Sequence, residues 1–330
     1  MSDNRSDFSR TEKNARESVK SGQSAVGRIF EEDPNNKILL IFWRCDLRPL
    51  LHNSIPPKMA QAVPPLPSDA MKSVLSGLSP ADIRLEPFPH IVAEDVLAPD
   101  LCAALVRSVP GFDRFGWAGT PPSNQRYPMS AYRIGQDAAM PAIWHEFVAY
   151  HSGKEFLAEI SALFADHWAP AMLDRLGGSL LGHSTGLCAH DDPSAVRILQ
   201  DARLEINTPV TTKPGSPRGA HLDTPNRLYS GLFYLRDPED DSVGGDLVLY
   251  RFRSDPPRHI DVFAFDEDQV EAVTTIPYRA NRLVLFPHGL HAVHGVSPRA
   301  LTPWTRKYVF ITAEIGEEWL VSPAATGPGA

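Results

Sequence analysis

Three H-x-D triplets occur in this 330-residue chain, at His190/Asp192, His221/Asp223 and His259/Asp261, and His291 and His294 are among the histidines that follow late in the sequence. Two imidazoles and one carboxylate on one face of a metal leave the opposite coordination positions open. A redox-active iron(II) that must take both oxygen and an organic cosubstrate needs that vacancy. A dianionic cosubstrate needs a planar, bidentate donor at its distal carboxylate, which favours Arg over Lys. Arg299 and Arg306 both follow the late histidines. The triplet by itself selects nothing, because about one is expected by chance from the composition.

Context separates the three. Around His221 the chain reads Arg218 to Asn226 (RGAHLDTPN), then Gly231 to Arg236 (GLFYLR), then Gly244 to Tyr250 (GGDLVLY). Later come Asn281 to Phe286 (NRLVLF), His294 to Pro298 (HGVSP) and Trp304 to Tyr308 (WTRKY). This ordered set resembles the prolyl-hydroxylase-like Fe(II)/2-oxoglutarate-dependent oxygenases. The resemblance implies a double-stranded β-helix, a jelly-roll core of the cupin kind. It also implies Fe(II), 2-oxoglutarate and O2 as cofactors, with ascorbate in support, and hydroxylation of a C–H bond with release of succinate and CO2. His221, Asp223 and His294 become the expected metal ligands, since the family phrase H-x-V-x-P fits His294 and not His291. Arg306, which opens a strand, becomes the cosubstrate arginine. The gap from His294 to Arg306 is longer than usual, which keeps Arg299 as a weaker candidate. Tyr234 matches a family tyrosine that bonds the cosubstrate, and Asn207 or Thr208 are expected to line the same pocket. His291 is left as a residue of the pocket or of the barrel mouth. Asp223 argues against a halogenase, which lacks that carboxylate.

Simpler readings stand beside these. His190/Asp192 and His259/Asp261 read as turn residues, without the companion motifs. Gly244 and Gly245 read as a tight turn, and Arg251 and Arg253 as a solvated strand edge. Two other functions use the same residues: a non-catalytic cupin-like binding protein, and a zinc-dependent hydrolase with His, Asp and His ligands. Neither accounts for Arg306 and Tyr234 together. The substrate is a small molecule or a peptidyl residue, proline included. The loop from Gly111 to Arg126 would form an open groove for the second or a lid for the first.

These residues need elements to hold them. Pro87 to Ala93 reads as an opening strand, and Ala98 to Arg107 as a helix with proline in its first turn. Ser152 and Glu155 have capping-box spacing ahead of a stripe of Phe156, Leu157, Ile160, Leu163, Phe164 and Trp168. After Leu204 come short apolar or alternating runs, 204–208, 231–236, 246–252, 270–277, 282–286, 291–296 and 306–314, broken by Pro, Gly and Asp. Helices first and strands later predict an α+β domain over 80–320, with helices buttressing one face of the β core.

The bulk composition agrees. Formal charge is −8, and the first 60 residues hold ten basic and eight acidic groups, so the remainder sits near −10 and general nucleic-acid binding is not expected. Cys45, Cys102 and Cys188 have no ligand or disulfide spacing. The N-terminus lacks the apolar core of a signal peptide, and Lys37 to Trp43 is too short to cross a bilayer, which points to a cytoplasmic protein without a membrane partner. Residues 1–70 read as disordered or loosely attached, with Met59 as an alternative start, and 321–330 as a flexible tail.

Overall fold

A computed structural model describes residues 73–116, 119–256 and 264–320. The expectations for residues 1–70, Met59, Cys45, His259/Asp261 and the tail lie outside these. Among the described residues no helix is long and apolar enough to cross a membrane.

The helices come first. They are α1 (Pro99–Arg107), α2 (Ala131–Gln136), α3 (Ala142–His151), α4 (Lys154–Leu163) and α5 (Pro170–Arg175). The expected capping box is not formed. Ser152 closes α3 instead, its hydroxyl donating to the Val148 carbonyl, and Gly153 is the N-cap of α4 without a side-chain bond. With only two residues between the helices, Ser152 cannot cap both. The apolar stripe behaves as expected: Phe156, Leu157, Ile160, Leu163, Phe164 and Trp168 are all buried.

Among the described residues ten strands make two sheets. The larger runs β1 (Ile91–Ala93), β8 (Leu283–Pro287), β5 (Arg227–Tyr234), β10 (Arg306–Ile315), β4 (Ile198–Asn207) and β2 (Arg126–Met129), with β3 (Thr185–Leu187) parallel to β4. The smaller runs β7 (Val270–Ile276), β6 (Leu247–Phe252) and β9 (His294–Val296). From β5 onward the chain passes between the sheets, as a jelly roll requires, and one apolar cluster contains side chains of both. The α+β class with a sheet-rich core is as predicted. Strand β4 begins six residues earlier than its alternation suggested, because Gln200 and Asp201 are buried inside it. The short edge strands β2 and β3 carried no period to read. Within the segment expected as a loop, Phe112–Phe115 forms a single 3-10 turn and Arg126 belongs to β2.

Alternation gives the large sheet two unlike faces. Ala202, Leu204 and Ile206 of β4 lie with Val309, Ile311, Ala313 and Phe233, and the helices cover them: Phe147 of α3 stacks on Phe233 at 5.7 Å. The other face carries Asp201, Arg203, Glu205 and Asn207 beside Arg306, Tyr308, Phe310, Thr312, Ser230 and Tyr234. So many polar side chains on a buried face need partners or a ligand.

Candidate active site

His221 and His294 are joined through their backbones: the His221 N–H donates to the His294 carbonyl at 2.8 Å, and the His294 N–H returns the bond at 3.0 Å. Such a reciprocal antiparallel pair puts both side chains on one face, and the ring centroids lie 4.3 Å apart. Asp223, two residues beyond His221 in extended chain, faces the same way. His221 Nε2 is 3.7 Å from Asp223 Oδ1, and His294 Nε2 is 3.7 Å from Oδ2. One potential ligand atom from each residue lies within 4.8 Å of the others, and all three residues are buried. Of the two triplets among the described residues, this one gathers a third ligand. His190 stacks on Tyr132 at an exposed turn, and His291 is exposed.

Hydrogen bonds prepare the rings. His221 Nδ1 faces the Gly219 carbonyl at 2.7 Å, and His294 Nδ1 the Ala292 carbonyl at 3.0 Å. A carbonyl only accepts, so both Nδ1 atoms carry the proton and both Nε2 lone pairs face the centre. Burial, then the neighbouring Arg218, lowers His221; burial, then His221 itself, takes His294 down to about 3. Both are neutral at neutral pH, the form that ligates a metal. Asp223 is held well below the carboxylate range against the upward push of burial, so it is ionised. The Ser230 hydroxyl donates to its Oδ2 at 2.8 Å, His288 Nε2 stands 3.3 Å from the same oxygen, and Arg218 donates to Oδ1 at 3.2 Å.

The second cluster lies around Arg306, fully enclosed at the start of β10. Its Nε donates to the Gly245 carbonyl at 2.9 Å, and its guanidinium is ringed by Tyr308, Tyr234 and Tyr278 at 4.6, 5.1 and 5.1 Å. Nη1 reaches Asn207 Oδ1 only at 3.4 Å, and Nη2 has no partner. Asn207 Nδ2 and the Tyr234 hydroxyl are also buried and unbonded; that hydroxyl adjoins the guanidinium without meeting it in bonding geometry. Three buried donors without an acceptor fit a bound carboxylate, whose oxygens only accept. Arg299 is placed differently. Its Nη1 donates to Asn124 Oδ1 and the Thr208 carbonyl, and its Nη2 to the Trp304 carbonyl, which ties loops together. Thr208 likewise bonds the Pro122 carbonyl and the Gln125 N–H through its hydroxyl.

The Gly244–Gly245 turn explains why β6 and Arg306 come so close. Both glycines have positive φ (82° and 79°), a Cβ on Gly244 would lie 1.9 Å from the Pro298 carbonyl oxygen, and one on Gly245 would lie 3.2 Å from Arg306 Cδ. Arg251 and Arg253 pair with Glu271 at the exposed edge of the small sheet. Sequence reasoning assigned no role to Ser230 or His288. Neither carries a signal in the sequence, because only the folded strands bring them to Asp223.

Residues 208–312 match the family model of the 2OG-Fe(II) oxygenase superfamily. Solved structures similar to this chain include a prolyl-4-hydroxylase of Pseudomonas putida, with 12% identity, 74% of this chain and 100% of the other covered, and a TM-score of 0.40. They also include a prolyl hydroxylase of Trichoplax adhaerens in complex with a peptide fragment of hypoxia inducible factor (14%, 73% and 89%, 0.39). A third is the non-heme alpha-ketoglutarate-dependent carbocyclase SnoK of nogalamycin biosynthesis (12%, 77% and 91%, 0.40). Comparison with curated proteins finds no match.

Proposed function

We infer, for a chain whose residues 208–312 belong to the 2OG-Fe(II) oxygenase superfamily and which is thus an Fe(II)- and 2-oxoglutarate-dependent oxygenase, that His221, Asp223 and His294 ligate the iron, that Arg306 with Tyr234 and Asn207 holds the cosubstrate, and that a C–H bond of a small molecule or peptidyl residue is hydroxylated. The observation that carries this reading is the pairing of a buried His, Asp, His set with a separate group of three unpartnered buried donors. A zinc hydrolase or a binding-only barrel has no use for the second group.

Bound iron supplies oxygen activation coupled to decarboxylation of 2-oxoglutarate, releasing succinate and CO2. The chain's own residues do the rest. Both imidazoles stay neutral and point Nε2 inward, while Ser230 and His288 hold Oδ2 of Asp223 and Arg218 holds Oδ1, which would fix the carboxylate for a metal. Arg306, Asn207 and Tyr234 fix the far end of the cosubstrate, and the three tyrosine rings keep water from the guanidinium.

Anaerobic titration with Fe(II) and 2-oxoglutarate tests this through the visible charge-transfer band of a chelated complex. The band is expected in the wild type and absent in His294→Ala. In Arg306→Ala it should require about 100-fold more 2-oxoglutarate, the loss of two charge-assisted bonds. No band in the wild type would overturn the reading.

A further inference from the structure

We propose that Glu205 is a positioning residue of the cosubstrate site: its carboxylate accepts a hydrogen bond from the Tyr308 hydroxyl and so holds that ring against the Arg306 guanidinium. This rests on the oxygenase reading and adds a residue to the machinery of the same site.

Register brings the parts together. On the polar face of the large sheet Asn207 stands opposite Arg306, and Glu205 opposite Tyr308, as directly paired residues of β4 and β10. Strand β4 therefore serves Arg306 twice. Asn207 does so directly, its Oδ1 lying 3.4 Å from Nη1, and Glu205 does so through Tyr308. The Tyr308 hydroxyl donates to Glu205 Oε2 at 2.6 Å, and of the three rings around the guanidinium that of Tyr308 is the nearest, at 4.6 Å. A short bond to an ionised acceptor is about twice as strong as a neutral one. It fixes the direction of a ring whose face attracts a cation.

The three tyrosines are not equivalent. Tyr278 accepts from the Lys307 N–H at 2.9 Å and donates to the Lys307 carbonyl at 3.3 Å, Tyr308 donates to Glu205, and the Tyr234 hydroxyl is unbonded. With two of the three hydroxyl protons committed elsewhere, the donors left for a carboxylate are those of Tyr234, Asn207 and Arg306. Glu205 decides the commitment of Tyr308, and with it which tyrosines act as walls and which one as a donor.

Stability alone does not account for Glu205. It is 1% exposed and ionised: against the upward push of burial, Arg126 and Arg203 hold its carboxyl at about 2. Arg203 Nε meets Oε1 at 2.6 Å, with its guanidinium over the Phe310 ring at 4.7 Å, and Arg126 Nε is 3.4 Å from Oε2. A buried ion cluster of this kind gives little net stability over apolar packing. What it does give is an acceptor oxygen held at a fixed place behind Tyr308.

The test measures 2-oxoglutarate binding by calorimetry to the full chain loaded with Mn(II), in wild type, Tyr308→Phe, Glu205→Gln and the double variant. Each single change should weaken 2-oxoglutarate about ten-fold and leave Mn(II) affinity within about two-fold. The double variant should bind within about two-fold of the weaker single, because both residues act through one bond. Tyr308→Phe keeps the ring and the Glu205–Arg203 pair, so it decides the question by itself if Glu205→Gln does not fold. Unchanged 2-oxoglutarate affinity in Tyr308→Phe, whatever its urea midpoint, assigns the bond to stability and overturns the proposal. Losses that multiply to about 100-fold in the double variant, or a parallel loss of Mn(II) affinity, overturn it too, and all three outcomes leave the oxygenase reading intact. Failure of the wild type to bind Mn(II) and 2-oxoglutarate overturns both.

Discussion

Asp223 has two oxygens doing different work. Ser230 and His288 both reach Oδ2 and Arg218 reaches Oδ1, so the carboxylate is oriented before any ion arrives. Ser230→Ala removes the shorter of those contacts and leaves the fold's packing alone. It should weaken metal binding by about ten-fold to 100-fold, the usual effect of losing a partner behind a ligand. Co(II) titration followed by its d–d absorption measures this without turnover; unchanged affinity would mean that His288 and Arg218 orient Asp223 unaided. His221, Asp223, His294 and Arg306 were all legible as residues, because the phrases around them are ordered and specific. Ser230 and His288 were not, since a serine in a strand and one more histidine have no distinguishing neighbours. Only the closeness of β5 and β8 brings them to Asp223.

At the scale of elements, the Gly244–Gly245 turn before β6 decides how close the small sheet comes to Arg306. The two glycines should fail differently. In Gly244→Ala the new methyl meets backbone at Pro298 under a strained φ, and a loss of about 2 to 4 kcal/mol is expected in urea denaturation. In Gly245→Ala the methyl presses on the movable side chains of Arg306 and Arg299, so the stability loss is smaller and the KM for 2-oxoglutarate should rise several-fold. Equal stability losses with unchanged KM would refute that distinction. The helical elements show the limits of spacing: the Ser152–Glu155 pattern is present, but the end of α3 occupies Ser152 before α4 can use it. Strand β4 shows the converse, since its alternation continues through Asp201 and Arg203 and looks like surface only until the facing wall is known.

Across the whole molecule, helices packed on one face of the large sheet leave His151 completely enclosed. Its Nδ1 faces the Phe147 carbonyl at 2.8 Å, its Nε2 accepts from the Val74 N–H at 3.1 Å, and its ring stacks on Phe147 at 4.1 Å. Burial takes it down to about 4 from an ordinary 6.5. Above pH 6.5 the ring is neutral in folded and unfolded chains alike. Below that, the unfolded chain takes a proton the native ring refuses, so stability falls as pH drops from 6.5 to 4, by about 3 kcal/mol for this residue at about 1.4 kcal/mol per unit. Urea midpoints of wild type and His151→Gln across that interval check the sign: the fall should be shallower in the variant, and parallel curves would refute it.

The sequence by itself determined the chemistry on offer and the class of the fold. Ligand types, their order and the punctuation between strands are local properties of a chain, and local properties survive in one dimension. Tertiary structure decided which atoms meet. Arg306 rather than Arg299 is left with an unpartnered nitrogen because Asn124, Thr208 and Trp304, distant in sequence for the first two, converge on Arg299. Ser230 and His288, 58 positions apart, meet at Oδ2 of Asp223 because β5 pairs with β8. Which polar side chains share a face is a relation between strands, so the unpartnered nitrogen of Arg306 could not be read before the register was known.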